Sequence, residues 1–162
     1  MSLLRASLRL IQQPRAQTWC RALSMRRPME SDRTRATEAL VTQGAALITR
    51  DGSAAFAKMR QHGSEWYDGE TYLFSYDLEC NVVFNAASPE KEGSNTHGHP
   101  DMNGKLFHNA LVDVAGTPKE CGWVDYAWPK PGETDPSQKW TFSKAVSIDG
   151  TPAVLMSGFY TD

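Results

Sequence analysis

The chain reads as an α+β domain in which two N-terminal helices and one inserted helix accompany a five-stranded antiparallel sheet. Three observations predict this. Apolar and small residues recur at three-to-four spacing over 36–48, 56–59 and 106–114, which is the period of a helix facing a core. β-branched and aromatic runs bounded by turn residues fall at 72–76, 82–86, 122–128, 140–148 and 153–159, lengths that suit antiparallel strands. Asp149-Gly150 joins the last two runs and is a strong two-residue hairpin signal.

Each element has a start and a stop. Ser31 or Asp32 can cap a first helix carrying Ala36, Leu40, Gly44, Leu47 and Ile48, and Asp51-Gly52 ends it. Ser53 can cap a second, short helix that presents Phe56 and Met59 and closes at His62-Gly63. The first two strand runs form a hairpin across the five residues Asp77 to Asn81. Ser88 to Gly104 is then too long and too polar for a plain connector, and loops of that length usually carry function or are disordered. A third helix spans Leu106 to Val114, stopped by Gly116 and Pro118. In the Gly122–Trp128 strand, alternation puts Trp123 on one face and Tyr126 with Trp128 on the other. Pro129, Pro131, Gly132 and Pro136 make the next loop. The pattern predicts a sheet with all its helices on one face.

Length and charge narrow the class. A chain of 162 residues holds one ordinary core, here assigned to residues 29–162 behind a basic extension at 1–28. Residues 1–30 carry six arginines and one acid, Glu30, leaving 11 basic and 18 acidic residues, a net charge of −7, for the rest. An acidic body is a poor electrostatic match for nucleic acid or anionic lipid. The extension has mitochondrial transit-peptide composition, with Arg21-Ala22-Leu23-Ser24 resembling a cleavage site. The alternative is a cytoplasmic protein whose true start is Met25 or Met29. No window reaches the roughly 20 apolar residues of a membrane-spanning helix. Cys20, Cys80 and Cys121 lack C-x-x-C spacing, so Cys80 and Cys121 read as small buried residues, not as a zinc or disulfide framework.

The strand Tyr72-Leu-Phe-Ser-Tyr-Asp77, the pairs Gly93-x-Asn95 and Asp101-x-x-Gly104-x-x-Phe107, and above all Gly122-Trp-Val-Asp-Tyr-Ala-Trp-Pro-Lys-Pro131 carry a resemblance. So does the ending Ser157-Gly158-Phe159-Tyr160. The chain resembles a single Cache domain of the second type, from about Arg35 to Asp162. The resemblance implies a PAS-like sheet that binds a small molecule, several members taking short carboxylates. A histidine often found near the end of the second strand is Asn85 here.

Tyr72, Phe74, Asn85, Trp123, Tyr126, Trp128, Lys130 and Lys139 can build an anion pocket, since such a pocket needs a few fixed donors in an aromatic lining. A packed sheet with snorkelling lysines would use the same residues. His97, His99 and Asp101, with His108 beyond, are weak metal candidates, because H-x-H spacing in a polar loop is common. No glycine-rich phosphate loop or haem motif occurs, and no nucleophile stands at a fixed spacing from a base, so neither a cofactor nor an enzyme is expected. The expected partner is a small-molecule ligand, with a homodimer or another protein partner left open. A structural subunit that kept the fold without the ligand is the alternative function, and a metal-dependent enzyme a more distant one.

Overall fold

The structure, a computed structural model, describes residues 27–29 and 31–161. The basic extension up to residue 26 and its cleavage motif lie outside the described residues. Helix α1 runs from Asp32 to Asp51. Ser31 is its N-cap, with the side chain accepting from the Thr34 N–H, and Gly52 ends it at φ 59°. Its buried stripe is Thr34, Thr37, Glu38, Val41, Gly44, Ala45, Leu47 and Ile48, whereas Ala36 is exposed. The stripe is displaced because the Glu38 carboxylate turns inward, accepting from the Trp123 indole at 2.9 Å and pairing with Arg27 at 3.0 Å. Polar positions thus hold part of a face that an apolar pattern assigns elsewhere.

The second helix is smaller than its pattern suggests, a 3-10 turn at Gly52–Ala55 followed by the single turn α2, Phe56–Met59. Ser53 does not cap it. The Ser53 N–H instead donates to Asp149 Oδ1 at 3.1 Å, tying this corner to the far hairpin. Phe56 stacks on Phe84, ring centroids 4.4 Å apart.

Strands β1 (Phe74–Asp77) and β2 (Val82–Asn85) form the expected hairpin. Asp77 Oδ1 accepts from the Glu79 and Asn81 N–H groups and organises its turn. Helix α3 covers Phe107–Asp113. Strands β3 (Cys121–Pro129), β4 (Pro136–Ile148) and β5 (Thr151–Tyr160) complete an antiparallel sheet of order β2-β1-β5-β4-β3. β4 begins four residues earlier than the sequence pattern suggests, because Pro129 and Pro136 pair across the ladder and proline is tolerated at the first residue of a strand. At the β4–β5 turn Asp149 and Gly150 both have positive φ, 50° and 85°, as a two-residue turn matched to strand twist requires.

The helices do not share one face. Trp123, Phe142 and Leu155 lie on the face covered by α1, where a Cβ on Gly44 would come within 2.9 Å of Leu155. Ser143 lies on the other face and donates to the Leu111 carbonyl of α3 at 2.8 Å. That second face, closed only partly by one short helix and the long loop, is left to hold the site.

Gly52 and Gly150 test the corner. A Cβ on Gly150 meets nothing within 4 Å, so Gly150→Ala should cost about 1–2 kcal/mol of backbone strain. A Cβ on Gly52 would sit 2.0 Å from Asp149 Oδ1, so Gly52→Ala should lose roughly 1–3 kcal/mol more. Urea unfolding of both variants checks this, and equal losses would refute the Asp149 contact as a determinant.

Candidate functional site

Period-two alternation brings the side chains of the site to one face of the sheet. Tyr72, Phe74 and Tyr76 follow one another along β1 and its lead-in, with ring centroids 5.7 Å apart at each step. Across the sheet Tyr126 stacks on Phe107 at 4.0 Å, and Trp128 lies 5.3 Å from the same ring. Between these rows runs Lys139, which pairs in register with Tyr126 on one side and Tyr160 on the other. Together with the 91–100 stretch of the long loop they enclose a cavity of about 430 Å³.

Lys139 is 1% exposed. Its ammonium donates to the Tyr72 hydroxyl at 2.9 Å and stands 4.4, 5.2 and 5.1 Å from the ring centroids of Tyr72, Phe74 and Tyr160. No carboxylate pairs with it among the described residues. The ring faces and one hydroxyl are its solvation, an arrangement in which each cation–π contact contributes about 0.5–2 kcal/mol. Gly158 makes the placement feasible: a Cβ there would meet the Trp140 carbonyl at 2.3 Å, Thr141 Oγ1 at 2.5 Å and Lys139 Cε at 3.1 Å. The lysine stem therefore crosses the sheet over a position without a side chain. Burial pushes the Tyr72 phenol up, but the Lys139 charge and hydrogen bond outweigh it and hold the phenol below its ordinary pKa.

Of the residues expected at the site, Tyr72, Phe74, Asn85, Tyr126, Trp128 and Lys139 line the cavity. Trp123 does not, because its odd position on β3 points it to α1 and Glu38. Lys130 lies beyond the strand end, paired with Glu70 at 3.2 Å and 5.8 Å above the Tyr160 ring. Asn85 spends its carbonyl on the Ala87 and Ser88 N–H groups, so its amide nitrogen is the donor it offers. The Tyr126 hydroxyl is bonded to Thr141 Oγ1 at 2.9 Å, while its ring lines the cavity. Tyr76, which alternation with Tyr72 and Phe74 could have revealed, also lines the cavity, as do Phe107, His108, Lys91 and His99. Lys91 stands 4.9 Å above the Trp128 ring.

The metal candidates separate. Asp101 Oδ1 accepts from the Asn103 and Lys105 N–H groups and Oδ2 from the Ala127 N–H, so the carboxylate fastens the loop to the edge of β3. Burial raises its pKa, but those three N–H donors and the Lys105 charge bring it below the carboxylate range. His97 is exposed, His99 is at the cavity rim, and His108 bonds through Nδ1 to the Tyr76 hydroxyl at 3.1 Å. No group of three or more potential metal ligands occurs among the described residues.

Burial, with the charges of His99 and Lys91, pushes His108 down to about 4, so it is neutral at pH 7. Between an unfolded value near 6.5 and the folded value of about 4, the unfolded chain binds the proton first. Stability should therefore fall as pH drops through that window, by up to ~1.4 kcal/mol per pH unit for one proton. His108→Gln should flatten that part of the profile. Urea unfolding against pH, with NMR titration of the imidazole, checks it; a midpoint at 6.5 in the folded protein would refute it.

The fold and the cavity can now be compared with known proteins. The Cache domain family matches residues 57–160. The methyl-accepting chemotaxis protein McpP of Pseudomonas putida is 28% identical over 96 residues, 59% of this chain and 17% of that protein, so the chain spans less than a fifth of that receptor's length. A solved periplasmic sensor domain of a chemotaxis protein is 33% identical, with TM-score 0.61 over 79% of this chain and 90% of the other. A Cache chemosensory domain studied for carboxylic acid recognition superposes with TM-score 0.68 at 23% identity, over 80% of this chain and 93% of its own, a likeness of fold. The sheet order, the helix on each face and the family match lead to one assignment: this chain belongs to the Cache domain family.

Proposed function

We propose that this domain is a small-molecule sensor module that binds a carboxylate-bearing metabolite in the cavity of its second sheet face. The observation that supports this most directly is Lys139, a buried ammonium with aromatic and hydroxyl neighbours and no acid among the described residues. A buried cation left without a counter-ion is costly, and a desolvated carboxylate is the group that would compensate it. Tyr72 and the Asn85 amide nitrogen add neutral donors on the same wall. A relic that had lost its ligand would be expected to fill such a void with side chains; here Lys139, Tyr126 and Asn85 border an open 430 Å³. The comparison with a domain studied for carboxylic acid recognition is in keeping with this reading.

The proposal separates affinity from stability. Lys139→Met keeps the length of the stem while removing the charge-assisted bond, an effect of about 1.5–3 kcal/mol, or roughly ten- to a hundredfold in affinity for a carboxylate. The ligand-free melting temperature should hold or rise, since an unpaired buried charge has been removed. Tyr126→Phe should do the opposite, leaving Thr141 without its partner at a cost of about 1 kcal/mol while affinity stays near the parent value. Thermal-shift titration of carboxylates, amino acids and amines reads both quantities, because a ligand of the native state raises stability with log concentration. A screen in which no carboxylate shifts the parent protein, or in which Lys139→Met responds like the parent, counts against the proposal.

A further inference from the structure

The cavity is much larger than its charged end requires. An apolar cavity of about 150 Å³ is enough to hold benzene, and this one measures about 430 Å³. A two- or three-carbon acid on Lys139 would leave most of that volume unfilled. Phe74 and Tyr76 stand on β1 and Tyr126 and Trp128 on β3, strands separated by β5 and β4, three spacings of about 4.8 Å each, and the floor between them is lowered at Gly158, which has no side chain.

We propose that the ligand is an aromatic carboxylate, its ring held between the row of Tyr72, Phe74 and Tyr76 and the row of Phe107, Tyr126 and Trp128, with its carboxylate on Lys139. This rests on the carboxylate reading above and specifies the body of the molecule. Five of the six rings are 1–6% exposed, so they are already packed in place and need little reordering to receive a flat partner. Offset and edge-to-face ring contacts favour such a partner over an aliphatic chain of equal size. Lys91 above Trp128 adds a second positive charge to the cavity lining, which attracts an approaching anion.

Isothermal titration of the full chain with acetate, propionate, benzoate, phenylacetate and cyclohexanecarboxylate tests this. Each buried methylene-sized apolar unit multiplies affinity about fourfold, so benzoate or phenylacetate should bind at least ~tenfold tighter than acetate. The heat-capacity change should also be more negative, as apolar burial requires. Lys139→Met, or Tyr72→Phe if the first variant fails to fold, should weaken phenylacetate. Acetate or propionate binding as tightly as the aromatic acids would overturn the inference while leaving the carboxylate reading in place. Cyclohexanecarboxylate matching benzoate would overturn the preference for a flat ring. If none of the acids binds at about 10 mM, a concentration that would reveal even very weak sites, the inference falls together with the reading on which it rests.

Discussion

The structure depends on one unusual accommodation, a lysine ammonium held inside the sheet face by three aromatic rings, one of which also accepts through its hydroxyl, in place of a carboxylate. Taking a charge out of water without pairing it is among the more costly things a fold can do. Everything around Lys139 reduces that cost without cancelling it. The rings turn their negative faces to the charge, the Tyr72 hydroxyl accepts one of its protons, and Gly158 opens a channel for the stem. An acid at any of these places would have stabilised the free protein more and left nothing for an anionic ligand to satisfy. The absence of one beside Lys139 among the described residues is thus the feature on which the proposed anion binding rests.

The sheet imposes this geometry through its register. Tyr126, Lys139 and Tyr160 lie in one row across β3, β4 and β5, and a slip of one residue would turn all of them to the α1 face. The β4–β5 turn fixes that register from one end, because its two left-handed residues permit only a tight connection. Asp149 reaches from the turn to Ser53, so the same corner also anchors the end of α1. The long loop is fastened separately. Glu92 accepts from the Asn85 N–H and pairs with Arg60, while Asp101 takes three backbone N–H groups. The rim of the cavity is therefore tied at both ends, and between them the Gly98 N–H donates to Asn109 Oδ1 of α3 at 3.0 Å.

The elements were legible in the sequence because their punctuation is local. Ser31, Gly52 and Asp149-Gly150 act within their own turns, and each stands where its pattern places it. Burial was less legible wherever a polar group is used inside. Thr37 and Glu38 face the core because Trp123 needs an acceptor, a demand made from another element 85 positions away. The same contact explains why Trp123, an aromatic in the most distinctive stretch of sequence, is not part of the cavity. Lys130 and Lys139 are equivalent on composition, and only the strand register separates a rim lysine paired with Glu70 from a buried one with no acidic partner among the described residues. His97, His99 and Asp101 look alike as ligands until the backbone is folded. Asp101 then proves to be an acceptor for the loop and the edge of β3, a role that spacing alone cannot distinguish from metal binding.

The two faces of the sheet divide the work of the domain. The α1 face is closed by a five-turn helix in close contact at Gly44, where even a methyl group would press on Leu155, so that face is bound up with the stability of the whole. The opposite face has only a seven-residue helix and a tied loop over it, too little to bury six large rings and a lysine without leaving a void. Its rings pack mainly on one another, Tyr72 to Phe74 to Tyr76 and Phe107 to Tyr126, and so support one another along the cavity wall. Preorganised walls lose little entropy when a ligand arrives, which leaves more of the contact energy for affinity. An occupant that completes this face also supplies packing that the chain itself does not provide. Under the proposed reading, binding and stabilisation are then the same event.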